Sequence, residues 1–192
     1  MRLVLISGSE LIDQAATIPN LPSHNGIDLM TMNYNNWVSY VTSRGLEGLA
    51  FIFTFIYQPM MTAIPAASLR VNPIGNPLNL STNYGDQMWM AATVAWLSAE
   101  EDTSAHSMLI DVMNNVESYV KTTYPNVEPS NFPTGGDIDH VYAPAFFMND
   151  AMYDQLVLQG YGAGTYQRLQ RIQKAYDSIG LFPNRTGGFR LT

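Results

Sequence analysis

An α+β domain, an antiparallel sheet with helices packed on one face, is what this sequence predicts, and three observations carry the expectation. Residues 48–58 and 87–97 are runs rich in β-branched, aromatic and other apolar residues, apolar on both alternating faces, as strands buried on two sides are. Residues 100–122 repeat apolar side chains at helical spacing. No internal repeat or low-complexity segment interrupts the 192 residues, and a hydrophobic content of 46% suffices for one core, so a single domain over residues 1–192 is expected.

Taken in order, residues 3–6 read as a short buried strand, and Ser9 as the cap of a helical turn through Glu10, Leu11, Ile12 and Gln14. Residues 17–25, with Pro19 and Pro22 ahead of Gly26, read as a loop, and residues 27–32 as a strand. A helix over 34–44 is expected next, with Asn33 as N-cap, Trp37, Val38 and Val41 facing inward, and Gly45 ending it. In the strand over 48–58, Phe51, Phe53, Phe55 and Tyr57 point one way and Ile52, Thr54, Ile56 and Gln58 the other. Both faces are therefore expected to be covered, one by helices and the other by a second layer, another subunit or a ligand. Residues 60–69 read as a short helix with Pro65 near a turn or kink, and 72–77 as a loop.

The strand over 87–97 sets Met88, Met90, Ala92, Val94 and Trp96 against Trp89, Ala91, Thr93 and Ala95 on its other face. In the helix over 100–122, Leu109, Val112, Met113, Val116 and Val120 form the apolar stripe. Glu100, Glu101 and Asp102 complement its dipole at the start and Lys121 at the end, and Tyr124-Pro125 closes it. Residues 127–139 read as a long loop, 141–148 as a strand, 151–159 and 165–177 as helices, and 187–191 as an extended tail.

Composition narrows the partners. A formal charge of −7, from 16 acidic and 9 basic residues with no Lys/Arg run, argues against nucleic acid and anionic membranes. The chain is rich in soft apolar surface, with 11 Met, 11 Tyr, 8 Phe and 3 Trp, which suits core packing, a ligand cavity or a subunit interface. With no cysteine, disulfides, thiolate nucleophiles and Cys-based metal sites are excluded. The apolar opening Leu3-Val4-Leu5-Ile6 stops at Ser7-Gly8-Ser9-Glu10, too short for a signal-peptide core. A cytoplasmic location is expected, with the sequons at Asn79 and Asn184 unused and no apolar stretch long enough to span a bilayer. Of His24, His106 and His140 only the last neighbours acids, Asp137 and Asp139, and a polar loop with local hydrogen bonds explains that cluster without a metal. Serine elbow, Walker loop and zinc signature are all lacking.

Several stretches, in order, carry a resemblance. They are Phe55-Ile56-Tyr57-Gln58-Pro59-Met60; Asn72-Pro73-Ile74-Gly75-Asn76-Pro77-Leu78-Asn79-Leu80; the strand from Trp89 to Trp96; Phe147-Met148-Asn149-Asp150; and a closing pattern running from Tyr161-Gly162 through Arg168-Leu169, Tyr176-Asp177 and Leu181-Phe182 to Gly187-Gly188-Phe189-Arg190-Leu191. Together these resemble the C-terminal substrate-binding domain of fungal FAD-linked oxidases of the berberine bridge enzyme type. The match covers residues 51–192 and fits 1–48 loosely. Where the family has Tyr-x-Asn-Tyr this chain has Asp150 at the last position, and Ile74-Gly75-Asn76 replaces a Gly-Gly-Asn step. The family's flavin domain has no counterpart here, and no Gly-rich loop is expected to open a helix for a pyrophosphate, so no cofactor is expected.

The resemblance implies that the sheet surface once facing the flavin remains as a substrate wall. It points to Gln58, Asn149, Asp150 and Tyr153 as catalytic and to Phe55, Tyr57, Met88, Trp89 and Phe147 as substrate-binding, with packing and strand-end hydrogen bonds as the structural alternative for each. Fixed donors beside aromatic walls suit reactions that need shape and one polarised carbonyl. The expectation is a cofactor-independent cyclase or isomerase, a Diels-Alderase-like pericyclase acting on a hydrophobic polyketide or terpenoid intermediate. Asp150 would be its acid or base if burial raises its pKa. A dimer through the exposed sheet face is expected as well. The alternatives are a non-catalytic metabolite-binding or partner protein and one half of a split FAD-linked oxidase.

Overall fold

The computed structural model describes residues 10–44, 52–124, 147–185 and 191. The expected strand at 3–6, the loop at 127–139, the first residues of the strands at 48–58 and 141–148, and most of the tail lie outside them. The fold is mixed: a three-stranded antiparallel sheet with helices. Its elements are β1 (Glu10–Pro19), α1 (Ser23–Ser43), β2 (Ile52–Met60), α2 (Ala63–Val71), β3 (Gln87–Trp96), α3 (Asp102–Thr123), α4 (Ala163–Tyr176) and α5 (Leu181–Arg185). The sheet order is β1-β3-β2, so β3 is central and antiparallel to both neighbours.

The composition of β3 explains its place. It has no charged residue, and Trp89, Met90, Ala91, Ala92, Val94, Ala95 and Trp96 are all buried, so it withstands packing on both faces. On one face α3 lays its stripe of Met108, Leu109, Val112, Met113, Val116 and Val120 against Ile12, Ala16, Met90, Ala92 and Val94, and α1 packs beside it. The Trp96 indole nitrogen donates to Asp102 Oδ1 (2.6 Å) and ties the start of α3 to the end of β3. The stripe expected for 100–122 is the stripe observed.

Four expectations about elements are corrected, and single-residue expectations with them. The helical turn after Ser9 is instead β1, in which Ile12, Ala16 and Ile18 enter the core on alternate positions, and pairing along all ten residues with β3 overrides the local capping signal. The loop over 17–25 and strand over 27–32 give way to α1, which begins at Ser23 after Pro22 (φ −75°, ψ 153°). Its buried face is Leu29, Asn33 and Tyr40, so Asn33 is an interior residue rather than an N-cap and Val38 is 40% exposed. Pro65 falls in the first turn of α2, where its missing N–H has no intrahelical partner to lose, and no kink is needed to explain it.

The third correction concerns 151–159, which forms no helix: one 3₁₀ turn spans Met148–Asp150, another Gln159–Tyr161, and the chain between them lies along the β1 edge. Met148, expected at the end of a strand, opens the first of these turns. The fourth is that among the described residues the second face of β2 is only partly covered, since Ile52 and Ile56 are each 50% exposed. Among the described residues β2 is an edge strand, and the second-face cluster of Ala15, Val157 and Tyr161, with Leu78, Leu80 and Leu169 against it, sits over β1. Among the described residues no helix is long and apolar enough to cross a membrane.

Candidate functional site

The second sheet face, away from α1 and α3, is organised in cross-strand rows. The registers put Thr17, Trp89 and Gln58 in one row, then Ala15, Ala91 and Ile56, then Asp13, Thr93 and Thr54. The middle row is small on β1 and β3, so its Ala floor lies between the Trp89 indole at one end and polar side chains at the other. Phe147 stacks on Trp89 with ring centroids 4.9 Å apart and planes 15° apart. Trp89 is 5% exposed and its indole nitrogen finds no acceptor among the described residues. A buried N–H without a partner is uncommon in native folds, because leaving it unbonded costs about 1–3 kcal/mol.

At the other end of the floor Thr93 Oγ1 donates to Asp13 Oδ1 (2.5 Å). Asp150, from the Met148–Asp150 turn, comes within electrostatic reach of Asp13. Burial first, and then the Asp13 carboxylate, raise the Asp150 carboxyl above its ordinary value of 3.8. Asp13 and Thr93 are not among the expected site residues; the sequence places Thr93 on this face of its strand, and period-two alternation through residues 10–19 would have placed Asp13 there too. Gln155 fixes the turn: its Oε1 accepts from the backbone N–H groups of Ala15 and Met152 (2.8 Å each), and its Nε2 donates to the Ala15 carbonyl (2.7 Å).

The nine expected site residues are divided. Gln58, Trp89, Phe147 and Asp150 belong to the second face or its cover, and Asn149 is exposed on the same turn as Asp150. Phe55, Tyr57 and Met88 lie on the opposite, helix-covered face. There Trp37 stacks on Phe53 at 3.7 Å, Phe53 meets Phe55 edge-on at 4.8 Å, and Asn33 Nδ2 donates to Tyr57 Oη (3.3 Å). Burial raises the Tyr57 phenol above 10.0, so it stays protonated at neutral pH. Tyr153 is 77% exposed and its ring lies 6.1 Å from His106, which meets Trp96. Trp96 and Trp89 are separated by about 23 Å of strand at roughly 3.3 Å per residue, so Tyr153 and Gln58 are at opposite ends of the sheet.

Two surface grooves accompany this face without belonging to it. One, of about 380 Å³, lies where β1 meets α1 and takes Leu29, Met30 and Met88 among its walls. The other, of about 470 Å³, lies between α1 and α3. Among the described residues no group of three or more His, Asp and Glu could hold a metal. His24 is an (i, i+4) neighbour of Asp28 at 3.3 Å on the surface of α1, and His140 lies outside the described residues.

For a flavin dinucleotide the fit is poor. Contrary to the sequence expectation, glycines do open a helix, Gly160, Gly162 and Gly164 running into α4. A 3₁₀ turn that includes Gly160, rather than a strand, leads into α4, and a Cβ on Gly162 would come within 2.9 Å of the Asn79 side chain, so that glycine serves close packing on the 72–80 loop. The second face itself presents two acidic side chains, Asp13 and Asp150, and no lysine or arginine among its row residues to hold a diphosphate.

No family model and no solved structure matches the chain. It is similar to the bifunctional solanapyrone synthase of Alternaria solani, with 32% identity over 106 residues, 55% of this chain and 18% of the synthase. It is also similar to an FAD-dependent monooxygenase of Arthrobotrys oligospora, with 24% identity over 145 residues, 69% of this chain and 25% of that enzyme. The chain thus spans a quarter or less of the length of each. By sequence it is a relative of one segment of two fungal enzymes, one a synthase and the other dependent on FAD.

Proposed function

We propose that the chain is the substrate-shaping part of a natural-product enzyme and promotes ring closure or isomerisation of a hydrophobic polyketide or terpenoid intermediate without a cofactor of its own. The observation that carries this reading is the buried, unpartnered Trp89 N–H beneath its Phe147 stack. An indole donor already stripped of water gives a stronger hydrogen bond to a substrate carbonyl as negative charge gathers there. The aromatic pair and Ile56, half exposed at the β2 end of the middle row, hold a polyene in a folded conformer, and Gln58, in the Trp89 row, adds an amide at the open edge. Asp150, whose carboxyl resists ionisation, serves as the acid that protonates or hydrogen-bonds a second carbonyl, with Asn149 beside it. A cycloaddition makes two σ bonds from two π bonds within the bound molecules, so it needs neither oxidant nor reductant. Phe55, Tyr57 and Met88 support the sheet from behind.

The FAD-dependent relative favours a second reading, in which the chain is one segment or half of a flavin enzyme whose flavin is held by other polypeptide. One experiment separates the readings. Purified chain is incubated with a linear polyene bearing an activated carbonyl, and cyclised product is followed by chromatography, with and without added FAD. Acceleration without FAD, lowered by roughly tenfold or more in Gln58→Ala and Asn149→Ala with unchanged melting, is the expected result. Tight binding of the polyene without turnover would leave a metabolite-binding protein, and a yellow complex formed only with a second polypeptide would support the flavin reading.

A further inference from the structure

A seam between two packed helices ordinarily closes on apolar side chains. Where α1 runs beside α3 it does not. The stripe of α1 at i, i+3, i+4, i+7 and i+8 is Asn36, Ser39, Tyr40, Ser43 and Arg44, and the facing stripe of α3 at i, i+3 and i+4 is Asp111, Asn114 and Asn115. These eight residues line the groove of about 470 Å³, a size that accepts a small ligand.

The polar groups are held rather than loose. Asn36 Nδ2 donates to the Val112 carbonyl (2.8 Å) while its Oδ1 accepts from Asn115 Nδ2 (3.0 Å). Tyr40 Oη and Arg44 Nη2 both donate to Asp111 Oδ2, at 3.0 and 3.1 Å, and the guanidinium lies 4.4 Å above the Tyr40 ring. Burial and the Asp111 bond push the Tyr40 phenol up to about 12, so it remains a donor. One group is left over: Asn114 Oδ1 is buried with no partner among the described residues.

We propose that this groove binds a small neutral polyhydroxylated molecule, a monosaccharide or a glycosyl unit, whose hydroxyls bond Asn114, Asp111 and Ser39. The pairing of Arg44 with Asp111 leaves no net charge to select an anion or a cation. The lining instead supplies donors and acceptors together, from Asn36, Ser39, Asp111, Asn114 and Asn115, and a hydroxyl is the group that answers both. A lining in which Tyr40 is the one aromatic ring among polar side chains disfavours the hydrophobic intermediate proposed for the sheet face, so the two sites are chemically distinct.

The test is saturation-transfer NMR and calorimetric titration of the whole chain with D-glucose, D-galactose, D-mannose and N-acetyl-D-glucosamine, with ethylene glycol as the small-polyol control. At least one sugar should bind saturably with Kd near the millimolar range, and ethylene glycol should not. Asn114→Ala and Asp111→Asn should weaken it roughly tenfold. Ser39→Trp, at an exposed rim position, should block it while the thermal midpoint stays unchanged. A p-nitrophenyl glycoside binding more tightly than the free sugar would identify a glycosylated metabolite as the occupant; equal binding would identify the free sugar. No saturable signal up to about 100 mM for any sugar, or full binding by Ser39→Trp, overturns the proposal.

Discussion

Asp150 shows how one residue can set what a surface does. Its carboxyl is raised above 3.8 mainly by burial and further by Asp13, so the folded chain keeps a proton that the unfolded chain gives up. The stability it contributes is therefore fully present below the ordinary carboxylate range and is lost as pH rises through the higher folded value. Asp150→Asn keeps the shape and removes the charge. Its thermal midpoint should coincide with that of the parent at acid pH and exceed it increasingly as pH rises toward neutrality, in paired melting curves across that range. A gap that instead narrows with rising pH would show that the carboxylate form is favoured at this position, and the acid role proposed for Asp150 would go with it.

At the scale of elements, β1 ends one side of the described sheet, and its Ala15 backbone is met not by another strand but by the Gln155 side chain. A carboxamide carries the same donor and acceptor as a peptide group, so Gln155 continues the ladder by one rung while its third bond, to Met152, fixes the 147–161 segment to it. Gln155→Ala should cost about 2–4 kcal/mol, because it strands a buried N–H and a buried carbonyl together. The urea midpoint should fall accordingly with little change in slope; a loss under about 0.5 kcal/mol would mean that water replaces the amide.

This contact also marks where sequence reading stops. β3 and α3 were legible because each carries its periodicity alone: β3 is apolar on both faces and α3 repeats its stripe through six buried residues. β1 and α1 were not. Glu10, Asp13, Gln14 and Thr17 interrupt the strand pattern until pairing with β3 imposes it, and Asn33 reads as a cap until Tyr57 gives its side chain a partner inside the core. For the site, aromatic and motif residues were visible singly. Their separation onto two faces follows from the one-residue alternation between Met88 and Trp89, and Asp13 and Gln155 act through partners 80 and 140 residues away, which no local pattern records.

For the whole molecule two forces oppose each other. A formal charge of −7 pushes copies apart, while β2, an edge among the described strands, offers nine residues with no charged side chain between Ile52 and Met60 and two isoleucines half exposed on the second face. Natural edges are commonly guarded by lysine, a bulge or an inward charge, and among the described residues this one has only Pro59 near its end. Extending the proposed function, we expect a two-fold dimer through this edge and face, which would also roof the Trp89 row from the open side. Because the copies repel at long range and attract at contact, added salt should tighten the dimer by screening the charge, the reverse of an assembly held by ion pairs. Sedimentation equilibrium at about 50 and 500 mM salt tests this directly, those concentrations placing the screening length on either side of 10 Å. Ile56→Glu should be monomeric at both concentrations with an unchanged far-ultraviolet spectrum. If the parent chain is already monomeric at high salt, Ile52 and Ile56 are simply exposed and the Trp89 row must be closed by the substrate alone.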